Sequence, residues 1–485
     1  MLAAVVFNSL AFLWFFLGVV AGYFALRHRW RWVWLLVASA GFYMAFIPAY
    51  ILVLCFTILV DYVSGLYLAQ AQGKARRWGL YASLGANLGV LATFKYYDWL
   101  AGHLAVWLGQ LGLGAGTAPL PYLGWVLPLG LSFHTFQALS YTLEVYHGRQ
   151  APERHLGRFA LYVLFYPQLV AGPIERPQHL LPQFRIAHRW DGRRVLAGLQ
   201  LMAWGLFKKV AVADRLAPLV DSVFSHPMDF YGSPLFIATA LFAVQIYADF
   251  SGYADMAVGA AQVMGFDLTR NFDRPYFAHS VRAFWSRWHI SLTGWFRDYV
   301  YIPLGGSRVG RVRQWRNVLL TFGLSGLWHG AGWTFPFWGG LNGGFIVAET
   351  LGQRLGNIWL QLPPWLRQGL GPVYTFLVLM LGWPFFRAET WREAYHVVVA
   401  GQADLWRTWT SSHYLSLGQS AHTWWTVALV IGILFGVERI QQAGPLRARL
   451  AQHPWLQATL TAGLLVAILL LGVFEANRPF IYFQF

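Results

Sequence analysis

Two histidines sit in surroundings that suit chemistry. His289 lies in WSRWHISL and His329 in SGLWHGAGW, 40 positions apart. A basic loop separates them, with Arg308, Arg311, Arg313 and Arg316. His329 follows Arg316 by 13 positions, inside an apolar run. At about 1.5 Å per helical residue it stands ~20 Å from that charge, deep in a hydrocarbon layer of about 30 Å. An ionisable group at such depth is costly and marks a functional site by default. Gly323, Gly326, Gly330 and Gly332 surround it, allowing close backbone approach or a helix break. A neutral imidazole can take a proton from a weak nucleophile and return it to a leaving group, and a neighbouring donor can hold a developing oxyanion. Alone, one intramembrane histidine fits a structural hydrogen bond as well as it fits a catalyst. The pair matches neither HExxH nor i,i+4 spacing, and no carboxylate lies close to either, so no metal site is expected.

The elements that must position these residues follow from periodicity. Val281, Phe284, Trp285, Trp288, Leu292, Trp295, Phe296 and Tyr299 share one stripe at about 100° per residue, which predicts an amphipathic interfacial helix with His289 on the stripe's edge. A long apolar span over 234–264 carries Asp249 and Asp255, which need partners, expected from nearby Arg or Tyr. Residues 194–219 carry Lys208, Lys209, Asp214 and Arg215 and read as a helix partly at the cytoplasmic surface. His134, in LSFHTFQ, reads as packing.

The composition is that of a bilayer protein. Of 485 residues, 57% are hydrophobic and 12% charged, about half the charge of a soluble domain. The formal net charge of +16 sits in short loops between apolar runs, so it reads as topogenic charge rather than a nucleic-acid surface. The single cysteine, Cys55, excludes an internal disulfide. Spans are expected near 3–26, 33–46, 51–68, 80–94, 122–146, 234–264, 373–386, 425–435 and 456–474. Residues 98–122 are expected as an external loop with interfacial helix, and 156–171 as a re-entrant hairpin. The loop charges place both termini outside the cytoplasm. The chain reads as one integral-membrane domain, with a core over 127–350 and peripheral helices over 1–97 and 370–485.

The order RPY, FWSRWHISLTGWFRDYVYIPLGG, GLWHGAGWTF and WG resembles the membrane-bound O-acyltransferase family, most of all its bacterial branch that O-acetylates extracytoplasmic polysaccharide such as alginate. The resemblance covers nearly the whole chain. It implies an all-α polytopic membrane fold of roughly 11 transmembrane helices, with re-entrant and interfacial helices around a central tunnel. It further implies a bacterial inner-membrane location. His329 takes the catalytic role and His289 that of its companion, with Trp288, Trp328, Arg287 and Asn342 as tunnel candidates. Acetyl-CoA is then the donor substrate, no cofactor is needed, and a periplasmic SGNH or esterase-like partner completes delivery. The 303–316 loop would steer the donor. The C-terminal stretch RPFIYFQF reads as an aromatic anchor or, through Tyr482, as an acyl relay such as related bacterial systems use.

Other readings compete. Peptidoglycan or cellulose could replace alginate as acceptor, and a D-alanyl transfer to teichoic acid is a more distant relative. Intramembrane His, Asp249 and Asp255 also suit a transporter, against which the lack of an inverted repeat counts. A purely structural export subunit leaves the histidine pair without a purpose.

Overall fold

In the computed structural model, the described residues are 7–112, 121–170, 172–353, 363–403, 405–411, 415, 417–442, 453–474, 478 and 480–481. Among them the secondary structure is entirely helical, without a strand. Among the described residues, four helices are long and apolar enough to cross a bilayer: Pro48–Gln70, Gly192–Phe224, Ser233–Met264 and Ala421–Gln442. Leu10–Ala25 and Trp455–Leu471 are shorter apolar helices. Trp14, Leu52, Leu469 and Leu470 are exposed on these helices, as suits faces turned to lipid rather than water.

The chain forms two compact units. The first comprises Met1–Leu199, Ala257–Thr269 and Gly330–Gly332. It contains α1 (Leu10–Ala25), α2 (His28–Met44), α3 (Ile51–Gln70), α4 (Gly73–Gln110), α5 (Leu131–Tyr146) and α6 (Leu156–Leu164). The carboxylate of Asp61 on α3 is fully buried. It accepts bonds from Ser83 (2.5 Å) and Asn87 (2.9 Å) on α4 and from Thr142 (2.8 Å) on α5, so three helices share one satisfied polar knot. His134 is buried with its ring 6.1 Å from that of Tyr43. The external loop expected from 98 begins later than read, because α4 runs unbroken to Gln110. No proline interrupts it, and the next is Pro119. Residues 156–169 break at Phe165 into two short helices, each too short to cross.

The second unit comprises Gln200–Met256, Arg270–His329 and Trp333–Phe485. The helix α7 (Gly192–Phe224) passes through a π-helical turn at Phe207–Ala213. It packs on α8 (Ser233–Met264) where glycines meet: a Cβ on Gly205 would lie 2.4 Å from the Gly252 carbonyl oxygen. The surface reading of 194–219 is corrected here. Lys208, Lys209 and Asp214 are all buried. The π turn widens the helix and turns both lysines onto α8. Lys208 Nζ lies 2.7 Å from Asp255 Oδ2 and 3.0 Å from Ser251 Oγ. Lys209 Nζ lies 2.8 Å from Asp214 Oδ1 and 2.7 Å from Asp249 Oδ1. The partners of Asp249 and Asp255 are therefore lysines, not the Arg or Tyr expected.

Candidate functional site

His329 is the last residue of α11, once the shorter helices α9 (Val281–Trp285) and α10 (Ile290–Phe296) are counted; α11 spans Arg311–His329. A four-residue turn leads from it into α12 (Thr334–Gly352). The two helices touch through glycine. A Cβ on Gly326 would lie 2.1 Å from the Phe335 carbonyl oxygen, and one on Gly339 would lie 2.0 Å from that of Phe322. No side chain fits between the backbones, so the hairpin is rigid where it delivers His329. The ring is 5% exposed and walled by Trp328 (4.9 Å between centroids), Trp338 (5.2 Å) and Phe386 (5.3 Å).

His289 does not lie on the edge of a helical stripe. The expected amphipathic helix is two, α9 and α10, broken at the residue of interest. His289 occupies the left-handed region with φ 44°, just before α10, and is 1% exposed. Hydrogen bonds from an earlier loop force the break. Asp273 N–H donates to the Arg287 carbonyl (2.9 Å), Ile290 N–H to the Asn271 carbonyl (2.9 Å), and Ser291 N–H to Asn271 Oδ1 (3.1 Å). Arg274 in that loop is left-handed too, at φ 49°. Strained non-glycine backbone of this kind persists only where its surroundings over-determine it, and it clusters at functional sites.

Trp328 neighbours both histidines. The Trp328 ring lies 6.3 Å from His289 and 4.9 Å from His329. Phe250 closes the far side of His289 at 4.7 Å. Trp288 is fully buried among Phe272, Phe284 and Trp383. Asn342 is a brace: its Oδ1 accepts from Trp285 Nε1 (3.3 Å) and its amide donates to the Trp338 carbonyl (2.8 Å). Arg287 stands apart from this aromatic chamber, on a cavity of about 630 Å³ lined also by Arg274, Arg439, His279 and Asp273. Three guanidinium groups face one carboxylate there, a surplus that suits phosphate. Tyr482 lies outside the described residues, but its neighbours Phe480 and Ile481 are buried beside α8.

Sequence reasoning missed Trp338, Phe386 and Phe250 as walls of the chamber. Trp338 and Phe386 lie 9 and 57 residues beyond His329, and only the fold brings them to it.

A family model for the membrane-bound O-acyltransferase family matches residues 153–387, which include both histidines. The chain is 38% identical over 392 residues to a probable alginate O-acetylase AlgI of Pseudomonas putida, covering 79% of this chain and 77% of that protein. It is 32% identical over 426 residues to a peptidoglycan O-acetyltransferase of Helicobacter pylori, covering 81% and 79%. A teichoic acid D-alanyltransferase of Streptococcus thermophilus is 28% identical over 247 residues, covering 48% of this chain and 57% of that protein. With an all-helical fold, bilayer-length apolar helices and relatives of this identity over most of its length, the chain belongs to the membrane-bound O-acyltransferase family and is an O-acyltransferase.

Proposed function

We propose that this protein moves acetyl groups from cytoplasmic acetyl-CoA across the bacterial inner membrane for O-acetylation of an extracytoplasmic polysaccharide, with alginate as the first acceptor to test. The observation that carries the reading is the buried pair His289 and His329, both neighbours of the Trp328 ring and packed among aromatic side chains. His329 accepts the proton of the attacking hydroxyl as the new C–O bond forms. His289 holds the oxyanion of the tetrahedral intermediate. The C–S bond then breaks, and His329 returns the proton to the departing CoA thiolate. Dry walls strengthen both interactions.

The donor's phosphates belong at the cavity of Arg274, Arg287 and Arg439. The hydroxyl belongs to Tyr482, which passes the acetyl group to a periplasmic SGNH or esterase-like partner, since a polymer cannot reach a histidine at this depth. The remaining crossings bring the total to roughly 11 transmembrane helices around a tunnel, with both termini periplasmic. Peptidoglycan is a second acceptor, favoured by a relative of that activity aligned over 81% of this chain.

Purified protein in nanodiscs, supplied with acetyl-CoA, a candidate partner and acceptor, tests the proposal. Wild type releases CoA and acetylates the acceptor; His329→Ala, at equal abundance and thermal stability, does neither. Substantial turnover by that variant removes His329 from the mechanism.

A further inference from the structure

The last described segment of the chain is tied to charged residues of α7 and α8. Arg215 donates to the Leu471 carbonyl (2.6 Å through Nη2), and Val473 N–H donates to the carbonyl of Val210 in the π turn (3.0 Å). Arg478 pairs with Asp221 at 3.0 Å, a carboxylate shared with Arg387. Ile481 N–H donates to Asp249 Oδ2 at 2.7 Å, while Asp249 Oδ1 receives Lys209 at 2.7 Å. Phe480 packs on Tyr253 (4.9 Å) and on Phe250 (5.6 Å), the ring that covers His289. Phe480 and Ile481 are each 4% exposed.

Asp249 is more than a counter-ion. Lys209 already has Asp214, so a second carboxylate on one ammonium leaves surplus negative charge in an apolar helix. The surplus has a use if the spare oxygen takes a backbone N–H, because buried carboxylates need donors and charge-assisted bonds are the strong ones.

We infer that Asp249 is a positioning residue: with Lys209 it forms a latch that holds Ile481 and so seats Phe480 against Phe250, the ring beside His289. The inference rests on the proposed acyl relay, since it assigns the group that holds the described residue preceding Tyr482 in the sequence. The latch reads the backbone of Ile481, so it does not depend on that side chain.

The test uses full-length protein in nanodiscs with Cys55→Ser and Ile481→Cys, which keeps the position-481 N–H. Maleimide labelling at position 481 is slow in this background. It becomes at least about tenfold faster with Asp249→Leu, the loss of one hydrogen bond to a charged group. Asp249→Asn, which keeps an acceptor oxygen but not the charge, falls between. Lys209 retains Asp214 in both variants, and a monodisperse, thermally stable sample confirms the fold; if Asp249→Leu does not fold, Asp249→Asn carries the measurement. With native Ile481, Asp249→Leu lowers kcat and leaves the KM for acetyl-CoA unchanged. Equal labelling in folded variants overturns the latch. Normal turnover in Tyr482→Phe would instead overturn the relay, and labelling would still decide the latch.

Discussion

The contact of α11 with α12 makes a sharp prediction at Gly326. A Cβ there would lie 2.1 Å from the Phe335 carbonyl oxygen and 2.8 Å from its carbon, whereas Cβ atoms essentially never come within 3.0 Å of a heavy atom outside their own residue and its chain neighbours. Gly326→Ala therefore separates the two backbones by at least about 0.9 Å. The obstruction is backbone, so no rotamer change relieves it. His329 lies three residues on, less than one turn away, and moves with its helix. A misplacement of about 1 Å at a catalytic group can cost on the order of 10²-fold in rate. We expect kcat for CoA release to fall by about that factor in Gly326→Ala, with protein abundance retained. Gly323 is the control on the same helix: its Cβ would meet nothing within 4 Å, so Gly323→Ala keeps wild-type turnover and gains a little helix propensity. Wild-type kcat in Gly326→Ala, or an equal loss in both variants, would refute the argument that this contact positions His329.

Other outcomes follow from the same geometry. His289→Ala lowers turnover by at least about 10²-fold, whereas His289→Asn, which tolerates the left-handed backbone, keeps the fold with turnover still low; loss of abundance alone would make His289 structural. Charge reversal at Arg439 raises the KM for acetyl-CoA at low salt more than reversal at Arg311 and Arg313, which are exposed outside the arginine cavity; the opposite ranking returns the entrance to the 303–316 loop. His179 donates to the buried Glu175 at 2.7 Å, and that hydrogen bond raises its pKa above the ordinary histidine value. Its stabilising contribution is thus full below about pH 6.5 and is lost as pH rises through the raised value. Thermal stability should fall from pH 6 to pH 8, and His179→Gln should flatten that slope; an unchanged slope removes His179 as its source.

Sequence reading reached the site unevenly, for physical reasons. The burial of His329 was legible because its signals are local: an ionisable residue in an apolar run, flanked by glycines. The buried state of His289 was not. The stripe from Val281 to Tyr299 is real, but Asn271 and Asp273 break the helix by bonding backbone 14 to 20 residues away, and no periodicity reports that. Lys208 and Lys209 were misread because charge usually means surface. Their partners Asp249 and Asp255 lie 40 and 47 residues on, and the π turn that aims them leaves no compositional mark. The long helix 234–264, by contrast, needed only length and apolarity, and its observed bounds differ by one residue at the start and none at the end.

The paired lysines of α7 also bear on biogenesis. A lysine at the centre of a nascent span costs about 3 kcal/mol to insert, and α7 carries two. Lys209 finds Asp214 within α7, but Asp255 is synthesised 47 residues after Lys208, which at 5–20 residues per second is a delay of about 2–9 s. During that interval Lys208 lacks the carboxylate it pairs with. Stable entry into the lipid therefore waits for α8, and the two helices partition with their charges paired. Removing Asp255 should hold nascent α7 at the translocon, a defect visible in the kinetics of membrane integration before any enzyme is there to assay.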